Sequence, residues 1–199
     1  MIDKALVFIS AQINHYLHVK LNDTSTTEYI KPENVAWDDS PATAGVNGSP
    51  TTNLFVTLVN IEEDRISKSQ DNYVREGNTI VYRNPKVHLN LFVLFSANFP
   101  EYKESLKMLS YVIQFFQSKN VFTPQNSPYL QTLGIRELIF DMVTIGFQDL
   151  NNLWGILGSK YLPSMLFKVR MITINDDLKQ GDAPLLTEIL INDNPITTA

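Results

Sequence analysis

The stretch KVHLNLFVLFSANF, residues 86–99, is the feature that most constrains how this chain can fold. Apolar and polar side chains alternate at its start, and by its end both faces are apolar. A strand with this pattern is expected to enter the centre of a sheet. The sequence therefore predicts a central sheet with this segment in its middle.

Two other segments have apolar residues at the spacing of an α-helix. Residues 100–118, PEYKESLKMLSYVIQFFQS, carry apolar side chains at helical spacing, with Pro100 at the head and Glu101 and Glu104 in the first turn. The N-terminal residues show the same period, and they predict an amphipathic helix rather than a signal peptide because polar residues interrupt a short apolar run.

The remaining elements follow from composition and turn residues. Strands are predicted at 54–64, 136–147 and 164–176, a hairpin around 76–78, a short helix within 148–163 and a last strand at 184–193. Their order predicts an α/β (α+β) fold, with a mixed central β-sheet and packed helices.

The length of 199 residues favours a single domain spanning 1–199. Two polar stretches, 22–53 and 65–85, are predicted as long loops, and 183–199 as a C-terminal arm. The first loop contains a few large apolar side chains with which it could pack on the domain: Tyr29, Ile30, Val35 and Trp37.

Composition narrows the function classes. The chain has no cysteine, so disulfides, thiolate metal sites and cysteine nucleophiles are excluded. Its net charge of −5 and sequence pI of about 5.2 do not favour binding to nucleic acid or to an anionic membrane surface. No stretch is apolar for the length of a membrane span, so no direct membrane insertion is expected.

Few residues suggest a catalytic, metal-binding or phosphate-binding site. His15 and His18 have a spacing that could present two imidazoles to one metal, but further ligands are missing, and a solvated or half-buried pair is the plainer interpretation. His88 has no serine or acid pattern that suggests a triad. Gly155 and Gly158 match no phosphate-binding loop. We therefore predict no enzyme activity, no catalytic residue, no metal and no cofactor.

Residues 150–171 are more informative. Asn151 and Asn152 are predicted to begin a helix too short to be stable alone, so its apolar side chains must pack on something. For Trp154 two interpretations stay open, packing on the sheet of the same chain or a contact between subunits. The predicted interface residues are Asn151, Asn152, Trp154, Gly158, Lys160 and Tyr161.

Three segments together carry a resemblance to a known family: HLNLFVLFSANFPEYKESLKMLSYVIQFFQ, FTPQNSP and LNNLWGILGSKYLPSMLFKVRMITI. In this order they resemble the N-terminal domain of the cap proteins, or tail terminators, of extracellular contractile injection systems. These systems are phage-tail-like particles such as the antifeeding prophage and the Photorhabdus virulence cassettes. The resemblance covers the chain from the first helix to about Ile174 and implies a short, tail-terminator-like form without an appended domain.

The resemblance implies a structural role. A cap of this family is a sixfold ring that ends the inner tube and the sheath and fixes their length, so the implied partners are other copies of the chain, the inner tube protein and the sheath protein. It implies assembly in the cytoplasm into a particle that can be released from the cell. Strand addition is a way to hold the sheath, and TEILINDNPITTA at the C-terminus and the 22–53 loop are the predicted arms.

Two other classes are weaker hypotheses. An aromatic-rich core could enclose a pocket, which would make the chain a monomeric small-molecule or peptide-binding module. A hydrolase is the third.

Overall fold

The computed structural model describes residues 1–37, 53–64, 73–76, 79–83, 87–174 and 179–184, with side chains at 1–36, 53–64 and 87–170. The helices are α1 (Ile2–Leu21), α2 (Tyr102–Ser118), α3 (Tyr129–Thr132) and α4 (Phe147–Leu157), with a 3-10 turn at Val35–Trp37. The strands are β1 (Ile30–Pro32), β2 (Leu54–Glu63), β3 (Tyr73–Glu76), β4 (Thr79–Arg83), β5 (Val87–Ala97), β6 (Val121–Phe122), β7 (Leu138–Val143), β8 (Ser164–Ile174) and β9 (Lys179–Pro184).

Six strands form the main sheet in the order β1-β2-β5-β8-β7-β6. β1 runs parallel to β2, and the other neighbours are antiparallel, so the sheet is mixed. β5 lies third in this order, which confirms the position predicted for residues 87–97 in the middle of a sheet. A second, three-stranded sheet has the order β3-β4-β9 and contains the predicted hairpin.

The larger core lies on the face of the main sheet covered by α1 and α2. α1 contributes Phe8, Ile9, Ile13 and Leu17, each at most 2% exposed. A chain of phenylalanine contacts joins α2 to the strands: Phe116 lies 4.4 Å from Phe167 and 4.9 Å from Phe140, between ring centroids. Such ring pairs add to the stabilisation from burial alone.

The opposite face of the sheet carries a smaller core beneath α4. Its buried members are Val35, Phe55, Leu94, Trp154 and Leu166. Helices and the 3-10 turn therefore cover the sheet on both sides, as the apolar pattern of β5 requires.

The first part of the 22–53 loop is tied to α1 by one side chain. Asn14 Oδ1 accepts hydrogen bonds from the backbone N–H groups of Tyr29 (2.8 Å) and Ile30 (3.0 Å), and its Nδ2 donates to the carbonyl of Ile30 (2.8 Å). The loop thereby places β1 beside β2, with Ile30 and Val35 each 1% exposed.

The fold class predicted from the sequence is confirmed, and the structure adds details. Residues 22–53 are not all loop, because they include β1 and the 3-10 turn. The strand predicted at 184–193 and the arm at 183–199 lie almost wholly outside the described residues, as do 38–52 of the first loop.

None of the described helices is long and apolar enough to cross a membrane. The assignment of 1–199 to a single domain stays a prediction.

Candidate functional site

α4 carries three of the six predicted interface residues, Asn151, Asn152 and Trp154, and the other three follow its end. The helix begins at Phe147, after Gly146, so the prediction that Asn151 and Asn152 begin it is wrong. The N–H of Leu150 bonds to the carbonyl of Gly146 (2.9 Å), so the first turn of the helix is already closed before Asn151. Leu150 also belongs to the apolar stripe that continues through Leu153 and Leu157, and its packing explains the earlier start.

Trp154 lies on the inward face of α4, and its ring packs on the sheet of the same chain. Trp154 is 5% exposed within the single chain and lies in the second core with Leu94 and Leu166. Its ring meets that of Tyr161 edge to face, with centroids 5.8 Å apart. Trp154 therefore holds α4 on the sheet, and any effect on an interface would act through the position of the helix.

The outward face of α4 is open. Asn151, Asn152 and Lys160 are exposed, and Tyr161 is 62% exposed. Ile156 is 83% exposed, and Phe147, at the start of the helix, is 91% exposed. Sequence reasoning missed these two, although Ile156 is an apolar residue outside the stripe of Leu150, Leu153 and Leu157.

Glycines shape this face in two different ways. Gly158 ends α4 in the left-handed conformation (φ 65°), where a side chain is strained. Gly155 has an ordinary φ, and a Cβ added there meets no atom within 4 Å. The described part of the chain therefore does not require a glycine at 155, although glycine is among the poorest residues for a helix interior.

A row of charged side chains crosses the sheet on the same face as α4. Arg170 contacts Asp141 Oδ2 through both Nε and Nη2 at 2.7 Å, and Lys168 Nζ lies 3.8 Å from Glu62 Oε2. Lys168 also lies 5.4 Å from the centre of the Phe92 ring. The Arg170–Asp141 pair joins the neighbouring strands β8 and β7, and Lys168 reaches from β8 across β5 to Glu62 of β2. These charged side chains give this part of the face a polar surface.

The histidines considered as metal ligands do not form a metal site among the described residues. His15 is exposed, whereas His18 is half-buried and faces Asp23 (Nδ1 to Oδ2, 3.7 Å) and the ring of Tyr29. Within the part of the chain that the structure describes, no three His, Asp or Glu side chains lie close enough together to hold a metal ion.

Two surface grooves accompany these features. The larger, of about 350 Å³, lies between α2 and β7 and is lined by Ile113, Phe116, Phe140 and Met142 among others. The smaller, of about 240 Å³, lies between the residues that follow β5 and those that precede β8, and includes Tyr102 and Tyr161.

Comparison with known proteins identifies the family. The model of the Pvc16 N-terminal domain matches residues 8–188, and the chain belongs to this family. A comparison with curated proteins found no match to this sequence.

Two solved structures share the fold. The first is the sheath/tube terminator, in the extended state, of the extracellular contractile injection system PVC, with a TM-score of 0.58 and 14% identity over 95% of this chain and 64% of that one. The second is the tube-terminating cap of the anti-feeding prophage, with a TM-score of 0.53 and 12% identity over 92% of this chain and 60% of that one. The chain thus spans less than two thirds of the length of either structure.

Proposed function

We propose that this chain is a structural cap of a contractile injection system, which forms a sixfold ring at the end of the inner tube and the sheath and fixes their length. Membership of the Pvc16 N-terminal domain family supports this function. The observation that carries it is the fold shared, over 95% and 92% of this chain, with two components that terminate tubes. These comparisons favour a structural role over a monomeric binding module and over an enzyme.

The physical task of a cap explains what its surface must provide. Tube and sheath subunits add by head-to-tail contacts that would otherwise continue without limit. A cap has to match the last subunits on one side and present a surface on the other side that cannot accept another copy. Its partners in this proposal are the inner tube protein, the sheath protein and five further copies of itself.

The outward face of α4 is the proposed contact between neighbouring caps. Asn151 and Asn152 offer amide groups, and Lys160 and Tyr161 extend the surface beyond the helix end at Gly158. Ile156, 83% exposed, supplies the apolar contact that such a surface needs at its centre. Trp154 supports this contact from beneath, because its buried ring fixes the helix on the sheet.

The glycine at position 155 supports the same assignment. Glycine in a helix interior costs roughly 1 kcal/mol relative to alanine, and no neighbour among the residues that the structure describes explains it. A partner whose backbone or side chain approaches α4 closely would explain it. Such a partner would meet Asn151, Asn152 and Gly155 on one helix face.

Arms are the proposed means of holding the sheath. An arm that extends an edge strand gains the backbone hydrogen bonds of a sheet. The 22–53 loop is suited to this role because its first part already lies at the edge of the main sheet, as β1. Limited proteolysis tests it: the loop should be cut quickly in the free protein and slowly in the assembled particle, and equal rates would count against an arm.

The cellular setting follows from the same proposal. The cap would be added in the cytoplasm as the particle is completed, and it would then stay on a phage-tail-like particle that can be released. Fractionation of cells and culture medium checks this, since the chain should co-purify with tube and sheath proteins in both fractions.

Electron microscopy of particles made with and without the chain tests the function. Without it, tubes and sheaths should be long and of uneven length, and the wild-type chain should restore one length. Ile156→Asp should fail to restore it, whereas the matched change Val19→Asp, at a 64% exposed valine on α1, should succeed. Particles of uniform length in the absence of the chain would contradict the proposal.

A further inference from the structure

α4 is held on the sheet by fewer buried side chains than α2. Of its eleven residues, which the structure describes in full, Trp154 alone is buried, whereas α2 buries six. α2 packs into the larger core and α4 into the smaller, second core. Helices shorter than about 12–15 residues are marginal by themselves in water. α4 therefore depends on its contact with the second core.

Two polar atoms are buried without a partner on the side of the sheet that α4 covers. Trp154 Nε1 has no hydrogen-bond partner among the residues that the structure describes, and neither has the hydroxyl of Ser96, which is 0% exposed. Ser96 lies two residues after Leu94 on β5, and side chains two apart share a face of a strand. It also pairs across the sheet with Phe55. Because Leu94 and Phe55 belong to the second core, both unpaired atoms lie in that core.

The buried serines of α1 and α2 have partners. Ser10 Oγ donates to the carbonyl of Leu6 (2.9 Å), and Ser105 Oγ accepts from the N–H of Phe99 (3.2 Å). A polar group that is buried unpaired loses the hydrogen bonds that water gives it in the unfolded chain, whereas a paired group keeps an equivalent bond. Opening of α4 therefore returns water to two unpaired atoms and relieves a cost that α1 and α2 do not carry at these serines.

Gly155 in the interior of α4 weakens the helix further, because glycine loses more backbone freedom on folding than any other residue. We infer that α4 opens from the sheet as a unit of its own, while α1, α2 and the main sheet stay folded. Proteins open locally in such units, with free energies below that of global unfolding. In the proposed cap a neighbouring copy packs on α4 and holds it closed, because a partner that binds only the closed form stabilises that form. This last step rests on the proposed function.

Native-state hydrogen exchange of the purified full chain tests the inference. The chain carries Ile156→Lys, which removes the apolar centre of the proposed contact between copies. Lysine is a better helix former than isoleucine and is favourable near a helix C-terminus, so this change does not itself promote opening. The amides of Leu153 and Trp154 should be protected at least about tenfold less than that of Val112 in α2, which corresponds to about 1.4 kcal/mol. Low concentrations of urea should accelerate exchange far more in α2, because global unfolding exposes more surface than opening of α4.

A variant in the larger core tests whether the two helices open separately. Val112 is 0% exposed in that core, so Val112→Ala removes packing beneath α2 and none beneath α4. Exchange in α2 should accelerate about tenfold, or about 1.4 kcal/mol, and exchange in α4 should stay the same. Equal acceleration in both helices, or the same dependence on urea, would show that they unfold as one unit and would overturn the inference.

Ser96→Ala tests the cause of the opening. It removes an unpaired hydroxyl and breaks no hydrogen bond among the described residues, so exchange of the α4 amides should become slower. Ser10→Ala is the matched control, because Ser10 is a serine of α1 that is equally buried and has its hydroxyl bonded. It should leave exchange in α4 unchanged. Exchange in α4 that is unchanged or faster in Ser96→Ala would overturn the inference, and circular dichroism confirms that each variant is folded.

The assembled particle separates this inference from the cap function. Exchange in α4 of the wild-type chain should become slower in the particle than in the free chain. A chain whose α4 opens first but that never joins a tube or sheath would support the inference and contradict the cap function. Amides of α4 that are as well protected as those of α2 in the free chain would overturn the inference and leave the cap function intact.

Discussion

The rings of Trp154 and Tyr161 meet edge to face, with centroids 5.8 Å apart, at the point where α4 ends and the chain turns back into the sheet. One of these residues is 5% exposed and the other 62% exposed, so the pair joins the second core to the surface proposed as a subunit contact. In the proposed cap, changes at the buried Trp154 and at the exposed Tyr161 should therefore affect the same subunit contact.

Trp154→Ala should lower the free energy of unfolding by about 3–5 kcal/mol, the range for truncating a large buried aromatic. Trp154→Phe should cost less, because the Nε1 of Trp154 is buried without a hydrogen-bond partner among the described residues, and its loss breaks no bond. Denaturant unfolding measures both. Unchanged stability in Trp154→Ala would show that the ring is peripheral.

Gly155→Ala and Gly158→Ala should have opposite effects on stability. Alanine at 155 meets no atom within 4 Å and should stabilise the monomer by up to about 1 kcal/mol. Alanine at 158 must adopt a left-handed conformation (φ 65°) and should destabilise it by roughly 1–2 kcal/mol. Thermal unfolding gives the sign of each change.

Assembly gives a second and independent measurement for the same pair. If a partner approaches α4 at Gly155, the stabilised Gly155→Ala chain should still assemble poorly. Normal assembly of this variant would remove the argument that position 155 is a contact.

Asn14→Ala should release the first part of the 22–53 loop. It would leave the N–H groups of Tyr29 and Ile30 and the carbonyl of Ile30 without their partner, at a cost of about 1–3 kcal/mol. Hydrogen exchange of these two amides should accelerate. Asn34→Ala is the control, because Asn34 Oδ1 accepts a bond only two residues along, from the N–H of Ala36 (3.0 Å). Equal exchange in both variants would show that Asn14 does not hold the loop.

The hydrogen-bonded pair of Asp23 and Tyr29, in the turn after α1, should keep its charge state over a wide range of pH. The hydroxyl of Tyr29, and then the hydroxyl and N–H of Ser25, donate to Asp23 and lower its pKa to about 2. Burial, and then the bond to Asp23, raises the pKa of Tyr29 to about 12. The carboxylate of Asp23 therefore stabilises the fold fully above its ordinary pKa of 3.8, and this contribution is lost as the pH falls towards 2. The neutral phenol stabilises it below its ordinary pKa of 10, and that contribution is lost as the pH rises towards 12.

Carbon NMR titration of Asp23 tests this turn. In Tyr29→Phe the pKa of Asp23 should move up towards its ordinary value of 3.8, because its first hydrogen bond is lost. Ser25→Ala should move it in the same direction by less. A pKa of Asp23 that stays the same in Tyr29→Phe would show that the two side chains do not interact in solution.

The central elements were predictable because local pattern and tertiary environment agree there. β5 is apolar on both faces towards its end and lies in mid-sheet. In α2, Leu109, Val112 and Phe116 recur at helical spacing and are buried, whereas Tyr102, Leu106 and Ile113 share that spacing and are exposed. β1 was missed because three residues that include Pro32 have no strand pattern of their own. Their conformation depends on β2 and on Asn14, which is sixteen residues away from Ile30 in sequence.

The candidate site was only partly predictable for a related reason. A sequence shows that α4 has an apolar stripe, but the burial of Trp154 depends on the second core that packs beneath the helix. The exposure of Ile156 and Phe147 could not be inferred from apolar character, which usually indicates burial. The groove beside β7 arises from the meeting of α2 with a strand that continues past its neighbour β6, and neither segment shows it alone.

The most direct test of the cap function is the mass of the purified chain, alone and after mixing with its inner tube and sheath proteins, by light scattering on a sizing column. The account predicts a hexamer, or a monomer that becomes sixfold on the end of a tube. A chain that stays monomeric and binds neither protein would contradict it and would favour the monomeric binding module, with the fold unchanged.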